Sequence, residues 1–417
     1  MFKKFILVDN LKSINEKIFF SFLILLPLFF ILGNLLINLF LIVIFFSFFL
    51  NKPLEKFNLK DPIILINLIF CISLFINYLF STDQENSLPR TIKSLAYLIL
   101  IIELKNFIKS HQILFEKKII KYWMLIFLIV LFDIIFEIFF GSNILGFQSY
   151  YPGRIASFFN DELVVGGFFL TFSIITSTYL LQIRKFSKIK IALYIVLLIL
   201  ISYLIGERSN FIKFLLAITI FSLIVLKPKF KELTAIILIL SILIFTFSYF
   251  KSTYSTRYYH TLSKIFIEKD INKYLENSQY GAHYNGAYKV FKSYPIFGVG
   301  LKNFRNEVHK DNYKNNNYLL TNQRWATHPH QIHYEFLSET GLFGYIIFLI
   351  FIISSIIISL KNYLINKNNF QLSSILITVV SIIPMLPSGS FFSTFAGGLF
   401  WVNYAIMVSY NKRVGIT

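Results

Sequence analysis

The sequence is poor in cysteine and in charged residues. Its one cysteine among 417 residues, Cys71, lies inside an apolar run, which excludes a disulfide framework and a cysteine-ligated metal site. Charged residues make up only 15% of the chain, hydrophobic residues make up 56%, and the mean hydropathy is +0.66. No Asp-x-Asp pair occurs, so the usual ligands of a metal-bound nucleotide are missing. This composition excludes a single water-soluble domain and indicates a membrane protein.

Long apolar stretches recur along almost the whole chain. About 20 apolar residues are needed for one helical crossing of a hydrocarbon layer that is roughly 30 Å thick. The sequence therefore predicts an all-α polytopic membrane protein with about twelve transmembrane helices. The predicted spans are 18–33, 35–50, 62–80, 92–104, 120–140, 163–183, 191–206, 210–226, 233–250, 341–360, 370–387 and 390–409.

The basic residues predict the orientation of these spans. With the N-terminus in the cytoplasm, the inside loops carry 23 of the 40 lysines and arginines, whereas the short outside loops carry five. An excess of this kind marks cytoplasmic loops, so both termini are predicted to be cytoplasmic. The net charge of +19 is explained by this loop bias, and no nucleic-acid partner is expected. The five outside residues are Arg90, Lys93, Arg154, Arg208 and Lys213.

One long polar segment divides the chain into three parts. Residues 1–250 are predicted to form helices 1–9, residues 251–340 an outer loop, and residues 341–417 helices 10–12 and a cytoplasmic tail. The loop holds six of the seven histidines. We predict in it an interfacial helix at 261–275, a helical stretch at 285–292 and a helix at 328–340. The third helix would begin with Thr327 as N-cap and Pro329 in its first turn.

Three arginines on the outer side are candidates for binding phosphate. Arg154 lies in a turn between the fifth and sixth spans, where it would grip a phosphate bidentately or act as an ordinary interfacial anchor. Arg208 follows Glu207 in a second turn and would bind phosphate or simply pair with that neighbour. Arg257 stands at headgroup height after the ninth span.

Two acidic residues near the outer end of the fifth span are also unusual. Asp133 and Glu137 lie one helical turn apart in an apolar stretch. Ionisable residues inside a membrane are costly and mark functional sites. They would form an intramembrane relay, or they would lie beside Arg154.

The densest group of polar residues lies at the end of the long segment. His328, His330 and His333 occur within six residues, and Trp325 precedes them. Three readings remain open for the histidines: a metal site, a base that accepts a proton from a hydroxyl, or hydrogen bonding at the membrane rim. On one helix, His330 and His333 would share a face.

In these polar segments the sequence resembles the O-antigen ligase superfamily, which includes O-antigen polymerases. Its marker is His, then Asn, Ser or Gln, nine residues, Gly, two residues, and Gly, Thr or Tyr. Here His330 and Gln331 are followed by nine residues, Gly341 and then Gly344. Residues 294–304 resemble the family segment Pro-x-x-Gly-x-Gly-x-x-x-Phe, with Gly298 and Gly300 as its glycines. The turns around Arg154 and Arg208 resemble further family turns.

The resemblance implies a glycosyltransferase of the GT-C type in the bacterial inner membrane. Its donor would be a glycan on undecaprenyl pyrophosphate, its active site would face the periplasm, and no metal or other cofactor is expected. His330 would be the catalytic residue, and Arg154, Arg257 and Arg208 would bind the pyrophosphate. Contacts with the acceptor or its glycan are expected from Gln331, His333, Trp325, Gly298 and Gly300.

The resemblance leaves the reaction open between two activities. An O-antigen ligase would transfer the glycan to lipid A–core, whereas a polymerase would join lipid-linked repeat units. A lipid-linked glycan flippase or another transporter is a non-enzymatic alternative. Transporters place ionisable residues near mid-membrane, whereas the candidates here cluster at one surface, so the sequence favours an enzyme. Among the enzymes, the complete histidine motif favours the ligase.

Overall fold

The computed structural model describes residues 11, 13–50, 57–162, 164–250, 256, 258–259, 271–384 and 386–411. Within these residues every regular element is a helix, and no strand occurs. The α-helices in chain order are α1 (Ile14–Leu32), α2 (Asn34–Leu50), α3 (Pro62–Leu79), α4 (Gln84–Leu114), α5 (Ile120–Phe140), α6 (Val165–Thr178), α7 (Lys188–Leu204), α8 (Arg208–Val225), α9 (Phe230–Phe250), α10 (Ile271–Glu276), α11 (Gln279–Ser293), α12 (Phe304–Glu307), α13 (Ile332–Asn366), α14 (Asn369–Ser381) and α15 (Phe395–Ser409).

Seven helical stretches in the described part of the chain are long and apolar enough to cross a membrane. They are Ile14–Leu32, Pro62–Leu79, Gln84–Phe140, Val165–Ile183, Arg208–Val225, Phe230–Tyr249 and Ile332–Asn366. The stretch Gln84–Phe140 has 57 residues because a π-helical turn joins α4 to α5, and it contains two predicted spans. The protein is thus a polytopic helical membrane protein, whereas the number of twelve crossings stays a prediction.

Local signals other than hydrophobicity decide where the helices begin and end. α1 starts at a capping box in which Ser13 and Glu16 bind each other's backbone amides, and it stops at Gly33. α3 starts after Asp61, whose side chain accepts a hydrogen bond from the Ile63 amide. These polar caps fix the helix ends within apolar sequence.

The connection between α14 and α15 differs from the prediction. Spans were expected at 370–387 and 390–409, but α14 ends at Ser381 and α15 begins only at Phe395. Proline removes a backbone donor and obstructs a continuing helix, and both Pro384 and Pro387 lie in this interval. The described residues of 382–394, which we call the outer connector, are therefore irregular.

The long polar segment is partly described. The predicted interfacial helix at 261–275 lies mostly outside the described residues, which show only α10 near its end. The helix expected at 285–292 is longer, because Ser278 caps α11 by accepting a hydrogen bond from the Gly281 amide. α11 ends at Ser293, two residues before Pro295.

The helix expected at 328–340 begins four residues later than predicted. Gln331, not Thr327, is its N-cap, and the Gln331 side chain accepts a hydrogen bond from the Tyr334 amide at 2.9 Å. Gly341 then interrupts the helix with φ 64° and ψ −169°. The first part of α13 is thus a short helix that a glycine break separates from the apolar remainder.

The described part of the long segment covers one end of the helix bundle. The Thr82 amide donates to the Val299 carbonyl at 3.0 Å, and the Asn77 side chain donates to the Glu339 carbonyl at 3.1 Å. Both residues lie at the junction of α3 and α4. Residues 294–344 are thereby anchored to the ends of these helices.

Candidate functional site

Close backbone contact joins the two motif segments 294–304 and 330–344. The Val299 amide donates to the Ser338 carbonyl at 3.0 Å, and the Gly300 amide donates to the Glu339 carbonyl at 2.9 Å. Gly298 has φ 67°, and a Cβ there would lie 2.4 Å from the Glu339 carbonyl carbon. Only glycine fits this contact.

The second glycine of that segment contacts the start of α4. Gly300 has φ 92°, and a Cβ would lie 2.0 Å from the Ser81 hydroxyl and 2.9 Å from the Ser87 hydroxyl. Asn303 ties the same turn to Ser81 with a 2.8 Å hydrogen bond. The close approach of Gly298 and Gly300 is therefore to the protein's own chain, and a contact with glycan stays a prediction.

His330 lies in a turn before α13 and not on the helix. Its φ is 56°, a strained value for a residue other than glycine, and its carbonyl accepts a hydrogen bond from the Ser388 amide at 2.8 Å. The expectation that His330 and His333 share a helix face is therefore wrong. The His330 ring is half-buried, and the described residues form no hydrogen bond with it.

Two further histidines surround His330. The His283 ring stacks at 4.8 Å between centroids, and the His328 ring lies at 4.0 Å. Burial lowers the pKa of His330, and it lowers the pKa of His328 well below the usual value. Burial and the neighbouring His330 lower the pKa of His283 to about 4. The three rings are thus neutral near pH 7.

Two neighbours of His330 in the chain, Gln331 and His333, have internal partners. Gln331 is buried and caps α13 through its side-chain oxygen. His333 has its Nδ1 at 3.0 Å from the Tyr345 hydroxyl and its Nε2 at 2.8 Å from the Ile382 carbonyl. Nε2 therefore donates, since a carbonyl oxygen only accepts. These contacts assign both residues to holding the local structure, and an acceptor-binding role for them stays a prediction.

The outer connector, most of which was predicted to lie within two spans, bonds to the helix that follows His330. Ser390 donates to the Glu335 carboxylate, and the Phe391 amide donates to the same carboxylate at 2.7 Å. The Lys302 ammonium donates to the Ser390 hydroxyl at 2.9 Å. Ser390 thus joins a buried cation to a buried anion.

More basic residues reach the outer connector from α4 and α8. Lys93 and Arg90 donate to the Thr394 hydroxyl at 2.7 and 3.3 Å. Lys213 donates to the Pro387 carbonyl at 2.9 Å. Three of the five basic residues that were predicted to lie on the short outside loops are therefore on helices and meet at one segment. Its prolines, glycine and hydroxyl residues were a sequence signal for a loop.

The charges around Lys302 interact with one another. Burial lowers the pKa of Lys302, and the nearby Arg90 and Arg305 lower it further. Glu335 and Glu339 oppose these effects, and the Glu339 carboxylate also accepts a hydrogen bond from the Lys302 amide at 2.9 Å. The site therefore combines several cations with two buried carboxylates.

The two arginine turns pack on each other. Arg154 forms an ion pair with Glu207 at 3.4 Å, whereas the sequence had suggested Arg208 as the partner of Glu207. The Glu207 carboxylate also accepts from the Gly166 amide at 3.0 Å. A Cβ at Gly206 would lie 1.9 Å from the Gly153 carbonyl oxygen. The turns that carry Arg154 and Arg208 thus pack directly against each other.

The remaining predicted site residues lie elsewhere or outside the description. Arg257 is outside the described residues. Trp325 is 51% exposed, its ring stacks on His309 at 5.1 Å, and the Arg324 guanidinium lies 5.4 Å from its centroid. Trp325 therefore presents an exposed aromatic ring whose position is supported by His309 and Arg324. Within the described residues, no three His, Cys, Asp or Glu side chains are grouped so that they could hold a metal ion.

A comparison with known families addresses the resemblance directly. Residues 193–349 match the Wzy_C family model, which is described as O-antigen ligase. This confirms the resemblance to the O-antigen ligase superfamily, whose members are glycosyltransferase-like ligases and polymerases. The matched range includes the Arg208 turn and both motif segments. No curated protein matches the chain.

Proposed function

We propose that this protein is a membrane glycosyltransferase that moves a glycan from undecaprenyl pyrophosphate to an acceptor hydroxyl. The observation that carries the proposal is the environment of His330 inside the matched family range. Its ring is neutral and makes no hydrogen bond with the described residues. Its backbone has a strained φ in the turn before α13, and the outer connector binds its carbonyl. A neutral imidazole of this kind suits a general base.

The proposed reaction is a direct displacement at the anomeric carbon. His330 accepts the proton of the acceptor hydroxyl while the acceptor oxygen forms its bond to the anomeric carbon. The bond from that carbon to the pyrophosphate oxygen breaks, and undecaprenyl pyrophosphate leaves with the electron pair. A single displacement inverts the configuration of the sugar.

Cationic side chains would stabilise the charge on the departing pyrophosphate. Lys302, Arg90 and Lys93 support this role because all three donate to hydroxyls of the outer connector, the segment that also bonds to His330. Arg154 remains a candidate from its turn, and Arg208 and Arg257 are kept as proposed contacts on the resemblance. Fixed cations that face a developing negative charge lower the barrier.

The acceptor is proposed to be a sugar of lipid A–core, which makes the protein an O-antigen ligase. The polymerase is the second candidate, with the end of another lipid-linked glycan as acceptor. Trp325 would stack against acceptor sugars, because it combines exposure with firm support from its neighbours. The site would face the periplasm from the inner membrane, with both termini in the cytoplasm and membrane lipids around the helices.

Glycolipid analysis of a deletion strain tests the function. Unattached long chains identify a ligase, whereas single attached repeats identify a polymerase. A failure to move lipid-linked repeats outward would instead support the flippase and overturn the proposal.

A second test uses purified protein in lipid with donor, acceptor and EDTA. We expect transfer to continue with EDTA, because side-chain cations take the charge of the pyrophosphate. His330→Ala should abolish transfer at a normal protein level. His111→Ala, at the opposite end of α4, is the matched control and should remain active. Activity of His330→Ala, or transfer that requires a divalent ion, would contradict the mechanism.

A further inference from the structure

Two buried acidic residues are not used by the proposed chemistry. Asp133 and Glu137 lie on α5, and they are 0% and 3% exposed. They are four residues apart and so share one helix face. Burying a carboxylate is costly unless hydrogen bonds compensate the lost water, so the contacts of these two residues need an explanation.

All four carboxylate oxygens accept hydrogen bonds, mainly from the Arg154 turn. The two Glu137 oxygens accept from the Ala156 amide at 3.0 Å and the Ser157 amide at 2.6 Å. The two Asp133 oxygens accept from the Ser157 hydroxyl at 2.7 Å and the Ile144 amide at 2.9 Å. Three of these four donors are backbone amides, which do not give up their protons. The arrangement is therefore unsuited to a proton relay.

The turn that these acids hold has an unfavourable backbone. Ser157 and Asn160 have φ values of 49° and 51°, which residues with a Cβ seldom adopt. Such conformations persist only where surrounding contacts enforce them. Asn143 adds one such contact, because its side chain donates to the Ser157 carbonyl at 2.9 Å.

Arg154 lies between this anchored turn and a second fixed point. It is two residues before Ala156, the first residue that Glu137 binds. The Ile155 amide donates to the Ile205 carbonyl at 3.1 Å, and Glu207 pairs with the Arg154 guanidinium. The position of Arg154 therefore depends on both sets of contacts.

We propose that Asp133 and Glu137 are positioning residues that act through Arg154, by fixing the turn that carries it. The inference rests on the proposed function insofar as it assigns Arg154 to the donor pyrophosphate. The acids neither touch the substrate nor carry a proton. Their part is to keep the guanidinium where the charge of the leaving group appears.

A double-mutant cycle on donor kcat/KM tests the proposal. Asp133→Asn, Glu137→Gln and Ser157→Ala are each made in the wild-type chain and in Arg154→Ala. Glu137→Gln should reduce donor kcat/KM about tenfold in the wild-type chain, because the NH2 group of the new glutamine would face a backbone N–H donor. In Arg154→Ala the same change should cause no further loss. Asp133→Asn should stay nearly active, because the new side-chain amide can still form hydrogen bonds with the Ser157 hydroxyl and the Ile144 amide. Equal losses in both backgrounds would overturn the proposal, as would an inactive Asp133→Asn.

A readout that does not depend on activity separates this proposal from the proposed function. Trypsin cleavage after Arg154 in detergent should be about tenfold faster in Glu137→Gln, because a released turn opens more often. Glu116→Gln is the matched control, since Glu116 is a buried carboxylate bonded to other elements, and it should leave this cleavage unchanged. Full activity of Arg154→Ala would refute the pyrophosphate role alone. An unchanged cleavage rate in Glu137→Gln would refute the positioning role.

Discussion

The protonation of His330 gives the sharpest prediction. A general base must be neutral, and burial lowers the pKa of His330 below its usual 6.5. Because the neutral form predominates above that pKa, kcat/KM should be constant near pH 7 and should fall only when the pH drops below 6.5. The His283 ring lies 4.8 Å away. Two protonated rings at this distance would repel each other, so a second proton on this pair is disfavoured.

The perturbation that tests this reasoning is His283→Ala. Removing the stacked ring admits water to His330, so the His330 pKa should rise toward 6.5 and the acidic limb of the profile should move to higher pH. The assay is transfer from a purified undecaprenyl pyrophosphate donor at rate-limiting concentration, from pH 4.5 to 8.5. Loss of His330 itself should cost on the order of 10²–10⁴-fold. An acidic limb above pH 7, or a limb that His283→Ala leaves in place, would refute the assignment.

Three further predictions follow from the surrounding contacts. Lys302→Met should destabilise the protein by about 3–5 kcal/mol in a thermal unfolding assay, because it leaves the buried Glu335 and Glu339 without a compensating cation. Adding Glu335→Gln should restore part of that loss. Arg154→Lys should keep only part of the transfer activity and Arg154→Ala very little, because an ammonium cannot reproduce two parallel hydrogen bonds; equal activity of all three proteins would contradict this. Gly298→Ala should lower both stability and activity, since its Cβ would meet the Glu339 backbone at 2.4 Å, and a normal melting temperature would show that the contact is not tight.

Much of this protein follows from local sequence. Apolar runs of membrane-spanning length predict the helices, because backbone groups in lipid must be bonded within each segment. The spacing from His330 to Gly341 and Gly344 predicts a resemblance to the O-antigen ligase superfamily, and the match over residues 193–349 confirms that resemblance. The close backbone approach at Gly298 also has a local signal, since a glycine-rich turn after proline favours one.

Helix boundaries were less predictable from the sequence. The helix after His330 was expected to begin near Thr327, but Gln331 caps it. Most of residues 382–394 fall within the spans predicted at 370–387 and 390–409, because the apolar residues around Pro384 and Pro387 dominate the local mean hydropathy. A single cap or proline changes a boundary without changing the average hydropathy around it.

Only the tertiary structure decided which polar groups meet. Ser390 joins Lys302 to Glu335 across sequence separations of 88 and 55 residues, and Arg154 pairs with Glu207 rather than Glu207 with its neighbour Arg208. Periodicity reports which face of a helix is apolar, but it carries no information about which other helix that face contacts. Hydrogen bonds and ion pairs act over a few ångströms, so they depend on packing between distant segments. The chain sequence determined the helices and the motif, whereas the packing of the bundle determined the site.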